Sequence, residues 1–94
     1  MKPMEYGVRT EVDLPFPCAL TRTKEALLRH GFEVLSETGI EDPHTVIFAL
    51  DGSEVVVYED ACGGVTVVAM GTEEAGERLD AVMDWLRPCA RSVS

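Results

Sequence analysis

The middle of this chain holds two runs of β-branched and aromatic residues that are separated by a short polar segment. Both runs lie within residues 53–70, and Gly63 and Gly64 stand between them. Runs of this kind, joined by a polar segment with glycine, are typical of an antiparallel hairpin. No helix follows the glycine pair directly, so it lacks the geometry of a phosphate-binding loop. The sequence therefore predicts a β-rich domain built around this hairpin.

The flanking segments predict three further strands and two helices. Alternating apolar and polar residues indicate a first strand over residues 6–13, and strands are also predicted over residues 32–37 and 45–50. Apolar residues at helical spacing predict one helix that has Pro17 in its first turn and runs through Cys18 to about residue 30, and another that opens at Glu73 and ends near Arg87. The ends of the helices are predicted from three residues: Pro17 in the first turn of the first helix, Gly31 as its C-cap and Thr72 as the N-cap of the second. A loop is predicted over residues 39–44, and a tight turn at Asp51 and Gly52.

The order strand, helix, four strands, helix predicts an α+β fold of two layers, with an antiparallel sheet and both helices on one face. This order resembles one half of the TATA-binding protein. A ferredoxin-like sandwich, which needs only four strands, is the alternative. A chain of 94 residues has room for a single core. We therefore expect one domain over residues 1–94, with residues 88–94 as a flexible tail.

The charge balance excludes several classes of partner. Seventeen acidic against eight basic side chains give a formal net charge of −9, which repels nucleic-acid backbones and anionic lipids. No apolar run reaches the roughly 18 residues that a membrane span needs. The first residues carry no apolar stretch of the kind that secretory signals have, so a cytoplasmic location is expected. Neither nucleic acid nor membrane is a predicted partner, and no cofactor is predicted.

Cys18, Cys62 and Cys89 are far apart and form no Cys-x-x-Cys pair, which indicates free thiols in a reducing compartment. Cys18 lies in the predicted first turn of a helix, a position that can activate a thiol. No histidine partner is identifiable, and most isolated cysteines behave as small apolar residues. Cys62 follows Glu59 and Asp60, whose negative charge disfavours a thiolate.

Acidic loops offer a weak hypothesis of a metal site. Glu41, Asp42 and His44 share one predicted loop, and Glu59, Asp60 or Cys62 from the end of a predicted strand and its turn are further candidates. Their spacing fits no recognised ligand motif, and carboxylates favour solvated turns. No metal site is therefore predicted.

Four stretches of this chain resemble the domain of unknown function 302 family. They are Tyr6-Gly7-Val8, the run from His30 through Gly31, Phe32, Glu33 and Val34 to Leu35, Val56-Val57-Tyr58-Glu59-Asp60, and Gly64-Val65-Thr66-Val67. The resemblance covers nearly the whole chain and implies a small α+β domain that associates with itself, with no established activity. Typical members carry a longer middle segment with a Cys-Asn-Pro motif, which this chain lacks, so no functional residue is transferred.

An excess of apolar surface is the most informative feature of the third to fifth predicted strands. Both faces of these strands are apolar, whereas two helices can cover only one. Five residues are the predicted ligand or partner contacts: Val56, Tyr58, Val68, Met70 and Cys62.

Three functional hypotheses follow. The first is a non-enzymatic assembly module, a homodimer that packs this second sheet face or pairs edge strands. The second is a binding protein for a small apolar or aromatic ligand, with Tyr58 and Cys62 near the mouth of the site. The third is thiol-dependent catalysis at Cys18. No residue is predicted to be catalytic under the first two.

Overall fold

A computed structural model of the chain describes residues 6–41 and 44–86. In chain order the elements are β1 (Tyr6–Val12), α1 (Phe16–Arg29), β2 (Ser36–Ile40), β3 (Thr45–Leu50), β4 (Ser53–Glu59), β5 (Val65–Gly71), a 3₁₀ turn (Glu73–Ala75) and α2 (Gly76–Leu86). The predicted tail over residues 88–94, together with Cys89, lies outside the described residues.

The five strands form one antiparallel sheet in the order β1-β5-β4-β3-β2. The hairpin of β4 and β5 lies at its centre, as the sequence predicts, and β1 and β2 are its edges. The predicted α+β class with a two-layer arrangement is confirmed. The ferredoxin-like alternative is wrong, because the sheet has five strands rather than four.

The core lies between the helices and one face of the sheet, which we call the inner face. Phe48, Val55 and Val57 on the inner face are fully buried, and so are Leu27 of α1 and Leu79 of α2. Helix α2 packs against β1 and β5, whereas α1 packs against β4 and against α2. Burying one such side chain contributes roughly 1.5–3 kcal/mol, so this layer accounts for most of the hydrophobic stabilisation.

Two predicted glycine positions have the expected backbone conformation. Gly52 has a φ of 76° in the two-residue turn between β3 and β4, and Gly31 has a φ of 79° directly after α1. The N–H of Phe32 donates to the carbonyl of Leu27 at 2.9 Å, which closes the last turn of the helix.

Strand β2 differs from its predicted position. It was predicted over residues 32–37, and the structure places it at Ser36–Ile40. Phe32 is only 7% exposed because it covers the end of α1, and the chain then crosses from the helix layer to the sheet edge. Gly39 and Ile40, predicted as loop, instead pair with β3.

The predicted start of α1 is confirmed, whereas α2 begins differently from the prediction. Helix α1 starts at Phe16, with Pro17 inside its first turn, which a proline tolerates because the first N–H groups have no partner in the helix. The side chain of Thr72 makes no capping hydrogen bond. Its carbonyl instead accepts the N–H of Ala75 at 3.0 Å, so a 3₁₀ turn precedes α2.

Candidate functional site

The face of the sheet opposite the helices is the candidate site, and we call it the outer face. Directly paired residues of neighbouring strands point to the same side of a sheet, so the strand register defines which side chains share this face. The middle row across the sheet, from β1 to β2, is Arg9, Val68, Val56, Ile47 and Thr38. Its three central members are apolar.

Two further rows flank the middle row. One runs Gly7, Met70, Glu54, Ala49 and Ser36, and the other runs Glu11, Thr66, Tyr58, Thr45 and Ile40. Most of the side chains on the three central strands are half-buried by their neighbours alone, since the buried residues of both helices belong to the core on the inner side. The outer face thus presents an apolar centre that no described element covers.

Charge on the outer face is concentrated at one edge. The guanidinium of Arg9 and the carboxylate of Glu11 are 3.8 Å apart on the edge strand β1, and both are well exposed. Glu54 is the ionisable carboxylate closest to the centre, directly opposite Met70 in the register. The surface therefore suits an apolar partner that leaves its β1 side in water.

Four of the five predicted contact residues lie together on this face. Val56 and Val68 are direct partners on β4 and β5, with Tyr58 and Met70 in the two flanking rows. Cys62 is separate: it is exposed in the turn between β4 and β5, and its N–H donates to Asp60 Oδ1 at 2.9 Å. Cys62 therefore does not belong to the outer face.

Ile47 and Ala49 extend the apolar surface onto β3. They were not among the five predicted contacts, although the alternation along residues 45–50 already placed them on the side opposite Phe48. Pairing between β3 and β4 is what joins them to Val56. Sequence alternation gives the side of a strand, whereas strand order decides which strands are neighbours.

A groove of about 450 Å³ lies along the solvent-exposed side of α1, away from the sheet, and the sequence did not predict it. Its lining consists of Leu14, Pro17, Cys18, Thr21, Arg22 and Glu25. The thiol of Cys18 is exposed there, and no histidine is among these lining residues. The groove therefore supplies Cys18 with no imidazole base of the kind that activates a thiol nucleophile.

Next to the groove, Trp85 of α2 is held by two arginines. The guanidinium carbons of Arg22 and Arg29 lie 5.2 Å and 4.5 Å from the centre of its ring. Arg22 Nη2 also donates to the carbonyl of Trp85 at 3.3 Å. Cation–π contacts of this type fasten α2 to α1 and explain the position of Arg22 in structural terms.

Among the acidic-loop residues that the structure describes, one predicted pair comes together. His44 Nδ1 and Glu59 Oε1 are 3.5 Å apart, while Asp42 lies outside the described residues. Within residues 6–41 and 44–86, no group of three or more His, Cys, Asp or Glu side chains gathers at metal-binding distances. None of the helices in these ranges has the length and apolarity needed to cross a membrane.

The fold is similar to that of an uncharacterised conserved DUF302 protein from Bacillus stearothermophilus, which is known from a crystal structure. The TM-score is 0.67 at 16% sequence identity, and the match covers 90% of this chain and 98% of that chain. At this level of identity, the likeness shows a shared fold. No protein-family model matches this sequence, and no curated protein matches it.

Proposed function

We propose that this protein is a non-enzymatic assembly module, and that its outer face packs against the outer face of a second copy. The observation that carries the proposal is the apolar row of Val68, Val56 and Ile47 on a face that no described element covers. Contiguous apolar patches of this kind typically mark interaction sites. A second copy offers the same apolar centre, so each patch would be covered by its equivalent.

The dimensions of the outer face fit a small dimer interface. Five strands about 4.8 Å apart and six residues that each rise about 3.4 Å outline an area of roughly 20 by 20 Å, or about 400 Å². Stable dimers bury about 800 Å² of accessible surface on each partner, and this face falls below that size, in the range of weak, transient interfaces. We therefore expect association that depends on protein concentration.

Charge favours one of two symmetric arrangements. If the two-fold axis runs along the strands, Glu54 faces Glu54 of the second copy, and two like charges are brought together. If the axis runs across the strands, along the middle row, Glu54 faces Tyr58 of the second copy, whose hydroxyl can donate to the carboxylate. Arg9 then faces Arg9 of the second copy, but this pair lies at the exposed β1 edge, where Glu11 is 3.8 Å from Arg9 and water screens the charges. We propose the second arrangement, in which packed sheets align within about 30°.

The first test is the mass in solution of the reduced protein, by size-exclusion chromatography with light scattering over a range of concentrations. The native chain is expected to associate as concentration rises. Val56→Lys and Val68→Lys each place a charge in the apolar centre and should raise the dissociation constant at least roughly tenfold, the effect of about 1.4 kcal/mol.

Leu28→Lys is the matched control, because it also replaces an apolar residue by lysine but at a position 59% exposed on α1. It should leave the mass unchanged, and circular dichroism should show that all three variants are folded. Unchanged association in both Val56→Lys and Val68→Lys would refute the outer-face dimer. A native chain that is monomeric throughout would favour the alternative, an apolar or aromatic ligand on the same face.

We further propose that the chain is a divergent member of the DUF302 family that lacks the family's middle segment. The shared fold and the four resembling stretches support this proposal. An intermediate sequence that is clearly related to both proteins over most of their length would establish it. If the sequences that relate to this chain never connect to that family, the proposal is wrong.

A further inference from the structure

Strand β2 is an edge of the sheet, and no strand within residues 6–41 and 44–86 pairs with its outward side. All five of its residues, Ser36–Ile40, are exposed. An unpaired edge presents a row of backbone donors and acceptors that another strand can use. Only the N–H and C=O groups of β2 that point away from β3 are available to such a strand.

The hairpin formed by β3 and β4 determines the direction of the backbone groups on β3, and therefore on β2. Its turn has two residues, so Leu50 and Ser53 form the hydrogen-bonded pair that closes it. Backbone groups alternate in direction along a strand, so Thr45, Ile47 and Ala49 turn theirs towards β2. Their partners in the register are Ile40, Thr38 and Ser36.

Glu37 and Gly39 therefore turn their N–H and C=O groups away from the sheet. The N–H of Leu35 donates to the carbonyl of Ala49 at 2.8 Å, which agrees with this assignment and leaves that N–H engaged. The free edge thus consists of two residues with two donors and two acceptors, and Thr38 lies between them.

This edge has only weak protection against pairing. Edge strands are commonly guarded by lysine, proline or inward charges, and β2 contains neither lysine nor proline. Its one inward charge, on Glu37, lies 3.6 Å from Lys24 Nζ of α1, which offsets it. Two apolar residues at the ends of the edge are unusually open: Leu35 is 59% exposed and Ile40 is 45% exposed. The opposite edge, β1, carries Arg9 and Glu11.

We propose that β2 pairs antiparallel with β2 of a second copy, centred on Thr38, so that two five-stranded sheets join into one. This register places Glu37 opposite Gly39 of the second copy, and the reverse, which forms four main-chain hydrogen bonds. Centring on Glu37 would set two carboxylates opposite each other. Centring on Gly39 would set Glu37 opposite Glu41 of the second copy.

The seam uses the outward backbone groups of Glu37 and Gly39, whereas the outer-face dimer packs side chains of the outer face, so each contact can form without the other. It goes beyond the proposed function because it names a second contact and its register. An extended peptide from another protein is the competing occupant, but two copies in this register place each Glu37 opposite a glycine and bring no like charges face to face. We therefore assign the edge to a second copy of this chain.

Cysteine crosslinking tests the seam and its register. In full-length chain with Cys18, Cys62 and Cys89 replaced by serine, Thr38→Cys places two thiols at directly opposed positions. Opposed residues of this unbonded type have Cα atoms about 4.5 Å apart, within the range that a disulfide spans. With oxidised glutathione as oxidant, two thiols yield one disulfide and two reduced glutathione molecules. Non-reducing electrophoresis measures the linked dimer.

Ser36→Cys in the same background is the matched control, since it lies on the same strand and face but opposite Ile40 of the second copy. The linked dimer should form at least roughly tenfold faster with Thr38→Cys, because only that pair is within disulfide reach. Adding Val56→Lys should not slow it, which separates the seam from the outer face. Equal rates for the two cysteine variants, or faster linking with Ser36→Cys, would overturn the proposal; if the equal rates are also slow, the edge has a different occupant.

Discussion

Gly71, the last residue of β5, shows how one residue without a side chain allows α2 to approach the sheet. A Cβ atom there would meet Ser53 Oγ at 2.5 Å and Leu79 Cδ1 at 2.9 Å. Both neighbours are buried, so they have little room to move. Gly71→Ala should therefore lower the free energy of unfolding by about 1–3 kcal/mol, measured by urea denaturation.

Gly7→Ala provides the control for this prediction. A Cβ atom on Gly7 would meet only Ala69 O and Met70 Cγ, each at 4.0 Å, which is an ordinary contact. Its effect should stay within about 0.5 kcal/mol. Equal losses in the two variants would show that the close approach to Leu79 is not what makes glycine necessary at Gly71.

Single residues differ in how far sequence could predict them. Gly31, Gly52 and Gly63 all have positive φ, and each was placed in a turn or cap because local sequence patterns demand glycine there. Gly71 was not singled out, because its role depends on Leu79 of a helix packed from another layer. The helix-capping role of the Thr72 side chain was wrong for a related reason, since the backbone makes that contact instead.

At the scale of elements, the turn between β4 and β5 depends on one side chain. Asp60 Oδ1 accepts the N–H groups of Cys62 and Gly64, both at 2.9 Å. Asp60→Ala removes both hydrogen bonds from an exposed turn and should lower the free energy of unfolding by about 1 kcal/mol. Asp60→Asn keeps an acceptor oxygen and should lose less than half as much in the same urea titration. Equal losses would mean that the hydrogen bonds do not stabilise the turn.

Sequence patterns predict which side of a strand is apolar, whereas the pairing of strands decides where some strands begin and end. An apolar uncovered face was expected because β4 and β5 are apolar on both sides, and alternation is a local property, but which side meets the helices is shown only by the structure. Strand β2 was placed four residues too early, since its five exposed residues carry no apolar periodicity. The position of β2 is set by its pairing with β3, and this pairing depends on the arrangement of the whole sheet.

At the scale of the whole molecule, the two proposed contacts impose compatible symmetry. The axis of the β2 seam runs perpendicular to the sheet through Thr38. The axis of the favoured outer-face dimer lies parallel to the sheet along the middle row, which also ends at Thr38. Two perpendicular axes that meet generate a closed assembly of four copies. The other outer-face arrangement would lay β2 over β1 of its partner and produce an open chain of copies.

Because the assembly of four copies is closed, its mass should have an upper limit. Light scattering over a concentration series can test this prediction. With both contacts formed, the largest species should have four times the 10.3 kDa of one chain and should not grow further. Val56→Lys should leave pairs joined through β2. Glu37→Pro removes an outward N–H that makes no bond within the sheet, so it should leave pairs joined through the outer face. The double variant should be a monomer. A mass that keeps rising with concentration would instead indicate the arrangement in which Glu54 faces its own equivalent.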